Sequence, residues 1–92
     1  MKEISKETWE EILQAAKEKD DIPDISFRTW LQPLKVQGVR DNTIVVLVTT
    51  GVMGVEYISK KYLRSLKSAV AETIGSEYEM EFILPEKMEV SN

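Results

Sequence analysis

The 92-residue chain contains no cysteine and no histidine. These two absences exclude disulfide bonds, thiol nucleophiles, most zinc sites and the commonest general base. Neither a Walker-type phosphate loop nor a serine or threonine beside a base is visible, which argues against nucleotide binding and nucleophilic catalysis. The alternating carboxylates at residues 77, 79 and 81 are typical of the solvent face of a strand. The sequence therefore predicts no enzyme, no cofactor and no metal ligand.

Long hydrophobic runs and an excess of positive charge are also absent. The longest apolar run, residues 44–48, is far too short to span a bilayer. The N-terminus shows no basic region followed by an apolar one, so we expect a cytoplasmic protein without a membrane partner. The 12 basic and 16 acidic residues give a net charge of −4. Tight duplex binding normally shows a basic footprint, so this balance favours a protein partner or a weak nucleic-acid contact.

The stretch Ser-Phe-Arg-Thr-Trp-Leu-Gln-Pro-Leu at residues 26–34 organises the predicted fold. Phe27, Trp30 and Leu31 fall at i, i+3 and i+4, which places them on one face of a helix. Pro33 ends that helix, because proline donates no backbone hydrogen bond and disfavours a helical residue before it. We expect the three apolar side chains to anchor the core.

The spacing of apolar residues predicts an α+β fold in the element order α-α-β-β-α-β. The predicted elements are helices at about residues 5–20, from 24 or 26 to 32, and 52–74, and strands at residues 34–40, 43–49 and 77–84. The expected N-caps are Ser5 for the first helix and Asp24 or Ser26 for the second. Gly75 should end the third helix. We expect a three-stranded sheet packed with helices in one domain over residues 1–85, with a flexible linker starting at 86–92.

The turn signal Asp41-Asn42 predicts a β-hairpin between the first two strands. Because the second strand is apolar on both faces, we expect it in the interior of the sheet. The side chains of the last strand that should point toward the core are Tyr78, Met80, Phe82 and Leu84.

Two features suggest nucleic-acid binding. The residues from Gly51 to Gly54 fit the Gly-x-x-Gly pattern with which KH domains clamp a nucleic-acid backbone, although this stretch follows a strand and offers valine and methionine. Lys60, Arg64 and Lys67 form a basic stripe on the third helix, which could meet phosphates, face an acidic partner or be a solvated face. A KH-like domain that binds single-stranded nucleic acid is therefore an alternative function.

Trp9 lies near the edge of the apolar stripe of the first helix, where it is followed by Ile12, Leu13 and Ala16. Partly exposed tryptophans are enriched at protein interfaces. The sequence leaves open whether Trp9 belongs to the core or to an interface.

Taken together, these residues resemble the N-terminal domain (domain I) of the bacterial chromosomal replication initiator DnaA. The matching motifs run in order over nearly the whole chain: Thr8-Trp9-x-x-Ile12-Leu13, Ser26-Phe27-x-x-Trp30-Leu31-x-Pro33-Leu34, Asp41-Asn42-Thr43-Ile44, Lys61-Tyr62-Leu63 and Glu81-Phe82-x-Leu84-Pro85. The resemblance implies a KH-like fold and a non-enzymatic interaction module. ATP binding and duplex origin recognition would belong to later domains.

The resemblance also implies partners and positions. Such a domain helps initiator molecules associate, recruits the replicative helicase, receives regulatory proteins and in some members touches single-stranded DNA weakly. The self-association residues correspond to Trp9 and Ile12 on the first helix. The helicase and regulator face corresponds to Asp24, Ser26 and Met53, and the weak DNA contact would fall on the basic stripe.

Overall fold

The computed structural model describes residues 3–85, and the linker predicted at residues 86–92 lies outside this part. Its helices are α1 (Lys6–Lys19), α2 (Asp24–Ser26) with a π-helical turn (Phe27–Leu31), α3 (Gly51–Lys61) and α4 (Leu63–Ile74), and its strands are β1 (Lys35–Arg40), β2 (Thr43–Leu47) and β3 (Glu79–Ile83). The predicted α+β class, with helices packed on a three-stranded sheet, is confirmed. No helix in the described range is long and apolar enough to cross a membrane.

Helix α1 begins where the sequence predicts. The Ser5 hydroxyl accepts a hydrogen bond of 3.0 Å from the backbone N–H of Thr8, which satisfies one of the free donors of the first turn. The buried residues of the helix are Trp9, Ile12, Leu13 and Ala16. This apolar stripe packs α1 beside α4, so that the two helices share one core.

The sheet has the strand order β1-β2-β3 and mixed direction. Strands β1 and β2 form the predicted antiparallel hairpin, in which Asp41 takes a left-handed conformation with φ of 58°. Strand β3 pairs with β2 in parallel, which requires a long crossover, and α3 and α4 supply it. Because β2 is the central strand, its inward residues Ile44 and Val46 are fully buried, as the apolar pattern indicated.

The long helix predicted over residues 52–74 is two helices that meet at Tyr62. This residue has φ of −117° and ψ of −3°, yet it still donates to the carbonyl of Ile58 and accepts from the N–H of Leu66. Ile58 and Leu66 are both fully buried. The kink therefore keeps the apolar faces of both helices on the core, which a uniform helical pattern in the sequence does not reveal.

The segment after Pro23 also differs from the prediction. Neither Asp24 nor Ser26 caps α2 with its side chain, since Pro23 occupies the N-cap position. The chain then widens into a π-helical turn, in which the N–H of Gln32 donates to the carbonyl of Phe27 at 2.8 Å. This turn leaves only one of the three expected anchors, Leu31, fully buried.

Three side chains that the sequence placed in the core are more exposed than expected. Phe27 and Trp30 are half-buried and pack against the core rather than filling it. Leu84 lies past the end of β3 and is 41% exposed, so it does not point inward with Met80 and Phe82 as predicted. The strand ends one residue earlier, where the backbone N–H of Val48 donates to the carbonyl of Ile83.

Candidate interaction surfaces

Trp9 is a core residue. Its side chain is 4% exposed, and its indole Nε1 donates a buried hydrogen bond of 3.1 Å to the carbonyl oxygen of Leu34. Ile12, one turn further along α1, is fully buried. Of the two interpretations that the sequence left open for Trp9, the structure supports the core. Trp9 and Ile12, the positions that the resemblance assigns to self-association, therefore both lie in the core.

A groove nevertheless runs beside Trp9, with a volume of about 700 Å³. It lies between α1, the π-helical turn and the start of β1, with the edge of Trp9 in its floor. The other apolar residues that line it are Ile4, Leu13, Phe27, Leu34 and Val36. Charged residues at its rim include Lys6, Glu10 and Lys35. A partner seated in this groove would lie beside Trp9.

A second group of aromatic residues lies on the surface. The rings of Trp30 and Tyr57 have centroids 4.6 Å apart and are tilted by 40°. Tyr57 in turn meets the buried Tyr62 edge-on at 5.9 Å. This chain of rings joins the π-helical turn to α3 and holds Trp30 and Tyr57 in defined positions.

Met53 extends this group into solvent. It is 81% exposed and stands one helical turn before Tyr57 on α3, and the two line one shallow concavity. We refer to Trp30, Met53 and Tyr57 as the aromatic patch. Val52 beside it is 59% exposed. Large exposed apolar groups on one helix are uncommon without a partner, so the patch is a candidate contact surface.

The Gly-x-x-Gly stretch supports the patch instead of forming a nucleic-acid clamp. Gly51 opens α3 with φ of 86°, and Gly54 is buried within the helix. A Cβ atom on Gly54 would lie 1.9 Å from the Thr50 Oγ1 and 2.8 Å from its Cβ. Glycine at position 54 therefore lets the chain fold tightly as it leaves the sheet. The loop between two helices that a KH clamp requires is not formed here.

The predicted helicase and regulator face is only partly assembled. Ser26 is half-buried, and it neighbours Tyr62: burial raises the pKa of the Tyr62 hydroxyl, and a hydrogen bond from Ser26 opposes that shift. Asp24 turns toward α1, where its carboxylate pairs with the Lys17 ammonium at 2.8 Å. The hydrogen bond and the positive charge of Lys17 hold the pKa of Asp24 below its usual value. Ser26 and Met53 are thus linked through the tyrosines, while Asp24 faces elsewhere.

The predicted basic stripe lines two neighbouring concavities. Lys60 and Arg64 line one together with Lys61, across the break between α3 and α4. Arg64 and Lys67 line the other, where the Lys67 ammonium is paired with the carboxylate of Glu79 at 3.2 Å. Arg64 therefore shares a concavity with each of the other two cations, and Lys67 is the one held in an ion pair.

Tyr57 of the patch and the neighbouring Lys61 were not identified as binding residues from the sequence. Tyr57 and Lys61 follow Met53 at i+4 and i+8, so they share a face of α3 with it. Their helical spacing was the signal in the sequence that could have identified them. It could not be distinguished from a buried stripe, because Ile58, next to Tyr57, belongs to the face of α3 that packs on the core.

Across residues 3–85, no group of three acidic side chains is arranged to hold a metal ion. Glu81 on the open face of the sheet is paired with Arg40 at 3.5 Å, and Glu79 with Lys67, as expected for a solvent-facing strand.

Fold and surface together define a small α+β domain whose notable features are a groove and an apolar patch. A family model described as "DnaA N-terminal domain" matches residues 6–72. Similarity to curated proteins supports the same family. The chain is 40% identical over 87 residues to the "Chromosomal replication initiator protein DnaA" of Lachnoclostridium phytofermentans, covering 91% of this chain and 19% of that protein. This chain belongs to the DnaA N-terminal domain family.

Two further relatives carry the same name. The protein from Citrifermentans bemidjiense is 31% identical over 69 residues, covering 75% of this chain and 15% of its own length. The protein from a Geobacter species is 31% identical over 74 residues, covering 79% of this chain and 16% of its own length. The chain thus spans less than one fifth of the length of these relatives.

Proposed function

We propose that this chain is a non-enzymatic protein–protein interaction domain of a bacterial DNA replication initiator. Its partners would be the replicative helicase, other initiator molecules and regulatory proteins. Membership of the DnaA N-terminal domain family and the names of its relatives support a role in the initiation of replication. The protein would act in the cytoplasm, and the domain would comprise residues 1–85.

The observation that carries this proposal is the aromatic patch. Met53 is 81% exposed although it is apolar, and Tyr57 beside it is 37% exposed. Tyr57 is held on a rigid base, because the Trp30–Tyr57–Tyr62 contacts fix its ring. A rigid apolar group loses little conformational entropy on binding, which favours its use as an anchor at an interface.

For the helicase and regulator face we therefore propose Ser26 and Met53, joined by Trp30 and Tyr57. Asp24 would contribute only by its place at the N-terminal end of α2, because its carboxylate pairs with Lys17. A contact of this size is expected to be weak alone. In an initiator assembled on an origin, several tethered copies would raise the effective concentration and make weak contacts sufficient.

Self-association would use the groove beside Trp9 rather than the Trp9 ring itself. The half-buried Phe27 and the exposed rim residues Lys6 and Glu10 are accessible there. Trp9 and Ile12 would contribute by holding the floor of the groove in place. A substitution that fills the groove, such as Gln14→Trp, should therefore weaken association without removing any core contact.

The test is a heteronuclear NMR titration of the labelled chain with purified replicative helicase, and then with single-stranded DNA. We expect helicase to shift the resonances of Ser26, Met53 and Tyr57. The matched control is Met53→Ser, which removes the most exposed apolar side chain and should reduce these shifts. Helicase that leaves the patch unperturbed at high concentration would contradict the proposal.

Binding of single-stranded nucleic acid is the second candidate. The clustering of Lys60, Lys61 and Arg64 in one concavity favours it, because phosphates would be met by three cations. The helical conformation of Gly51 to Gly54 and the net charge of −4 weigh against it. Counterion release would give such binding a steep dependence on salt, whereas a protein contact anchored by the apolar Met53 should weaken much less steeply. An NMR titration repeated at two salt concentrations distinguishes them.

A further inference from the structure

The aromatic patch is bordered by lysines that come from its own helix. Lys60 and Lys61 follow Tyr57 at i+3 and i+4 on α3, so they share its face. With Met53, Tyr57 and Glu56 they line one shallow concavity of about 470 Å³. An apolar anchor point and two cations therefore lie within reach of a single bound segment.

These cations are available for a partner. Within residues 3–85, neither Lys60 nor Lys61 nor Arg64 forms an ion pair, and the Lys61 ammonium lies 5.8 Å from the centre of the Tyr57 ring. The concavity beside Met53 has one acid, Glu56, against Lys60 and Lys61. The other acids near these cations are Asp20 and Asp21 beside Lys61, and Glu77 and Glu79 beside Arg64. Although the whole chain is acidic, the concavity beside Met53 carries an excess of positive charge.

The orientation of Asp24 keeps its negative charge out of the concavity beside Met53. It is the acidic residue nearest to Ser26 in the sequence, yet its carboxylate is turned to Lys17 on α1 and does not line the concavity. What this chain offers a partner beside Met53 is thus apolar and positive. A complementary surface would be apolar and negative.

We infer that the aromatic patch, together with Lys60 and Lys61, binds an acidic, apolar segment of a partner protein. One apolar side chain of the segment lies against Met53 and Tyr57, and its carboxylates lie at the two lysines. The inference rests on the proposed function and adds the chemistry of the partner to it.

A peptide fits the site better than a nucleic-acid strand. The most exposed residue of the patch is Met53, a flexible thioether that packs against aliphatic side chains but offers no flat surface for a base. The rings of Trp30 and Tyr57 cover one another, which reduces the ring area on which bases could stack.

The experiment uses the labelled 92-residue chain and three probes. The first is a synthetic amphipathic peptide of about 16 residues, long enough for four helical turns, with leucines at i, i+3, i+4 and i+7 and glutamates between them. The second replaces every glutamate by lysine, and the third is an oligothymidylate. We expect the glutamate peptide alone to shift the resonances of Met53, Tyr57 and Lys60, with an affinity that falls as salt is added.

Charge reversal tests the role of the lysines. Lys60→Glu with Lys61→Glu should weaken binding of the glutamate peptide about tenfold, because two attractions become repulsions. The matched control compares single reversals: Lys60→Glu should weaken binding, whereas Arg40→Glu makes the same change in net charge at an exposed position that lines neither the patch nor the groove and should bind as the parent does. Met53→Ser should also weaken binding about tenfold, and far-UV circular dichroism checks that each variant is folded.

Three results would overturn the inference: equal affinity for the lysine peptide, no binding of the glutamate peptide, or shifts of the patch with oligothymidylate alone. The helicase titration separates this from the proposed function. If the glutamate peptide binds at the patch but helicase does not bind, the proposed partner is wrong and the chemistry of the patch stands. If helicase binds equally well to the parent and to the variant reversed at Lys60 and Lys61, the proposed function stands and the inference fails.

Discussion

The two tryptophans of this domain lie in opposite environments. Trp9 is 4% exposed and donates its indole hydrogen to the carbonyl of Leu34, so its ring and its polar atom are both satisfied inside the protein. Trp30 is half-buried and meets Tyr57, itself 37% exposed, at the surface. The position of a tryptophan in an apolar stripe therefore does not decide whether the side chain is buried. What decides it is the element that packs opposite.

The largest expected effect is at the buried tryptophan. Trp9→Ala should lower the free energy of unfolding by about 3–5 kcal/mol, because it creates a cavity and removes the hydrogen bond to Leu34. Urea denaturation followed by circular dichroism measures the loss. Trp9→Phe is the matched control: it keeps an aromatic ring and should cost less, through the unpaired carbonyl of Leu34 and a smaller cavity. A fully stable Trp9→Ala variant would show that the ring is not part of the core.

The next largest effect is expected at the start of helix α3, the helix that carries Met53 and Tyr57 of the aromatic patch. Gly54→Ala should destabilise the domain by about 2 kcal/mol, since the new Cβ would clash with Thr50. In the double variant with Thr50→Gly, the clash is removed and most of the stability should return. Differential scanning calorimetry of both variants makes the comparison. An unchanged melting temperature for Gly54→Ala alone would contradict the close approach.

Trp30→Ala should cost less than Trp9→Ala, about 1–2 kcal/mol, because part of the ring is already in contact with water. The same denaturation series measures both, and the ratio of the two losses is the direct test of the contrast. Removal of Trp30 should also free the Tyr57 ring, which narrow-line NMR resonances of Tyr57 would report. A loss for Trp30 equal to that for Trp9 would mean that the patch is part of the core.

Met53→Ser should change stability by no more than about 0.5 kcal/mol, as expected for an exposed position. Its effect should be confined to partner binding, measured in the helicase titration. Ile58→Ser on the same helix is the contrasting variant: it is fully buried and should unfold the domain. A strongly destabilised Met53→Ser variant would show that Met53 packs against the protein.

The smallest effect concerns pH at Asp24. Lys17 holds the pKa of Asp24 below its usual value of 3.8. Since the folded pKa is the lower one, the ion pair stabilises the fold above the unfolded pKa, and this contribution is lost as the pH falls through the folded value. Carboxyl NMR titration should show a midpoint below 3.8 that moves up in Lys17→Met. A midpoint that Lys17→Met leaves in place would exclude the pair as the cause. Full exposure keeps the effect on stability small.

Local signals in the sequence predicted much of this fold. Ser5 as N-cap, the Asp41-Asn42 turn, the central position of β2 and Gly75 as the helix terminator are all confirmed, because each depends on a few neighbouring residues. The π-helical turn and the kink at Tyr62 were not predicted. Both leave the apolar spacing nearly helical, so no periodic pattern distinguishes them from a regular helix.

The candidate site was less predictable than the fold. Met53 and Ser26 were identified through the resemblance, and the structure links them through Tyr57 and Tyr62. Burial of Trp9 depends on the carbonyl of Leu34, which is 25 residues away in the chain. Contacts between distant segments of this kind carry no local signature, so periodicity alone left Trp9 ambiguous.

The sequence by itself determined the absence of cysteine and histidine chemistry, the element types and the three-stranded sheet. It did so because composition and short-range spacing are sufficient for these properties. Only the tertiary structure decided which tryptophan is buried, that Asp24 faces Lys17 and that Lys60 and Lys61 border an exposed Met53. These outcomes depend on how α1, α2 and α3 pack against one another, and packing joins residues that are far apart in the chain.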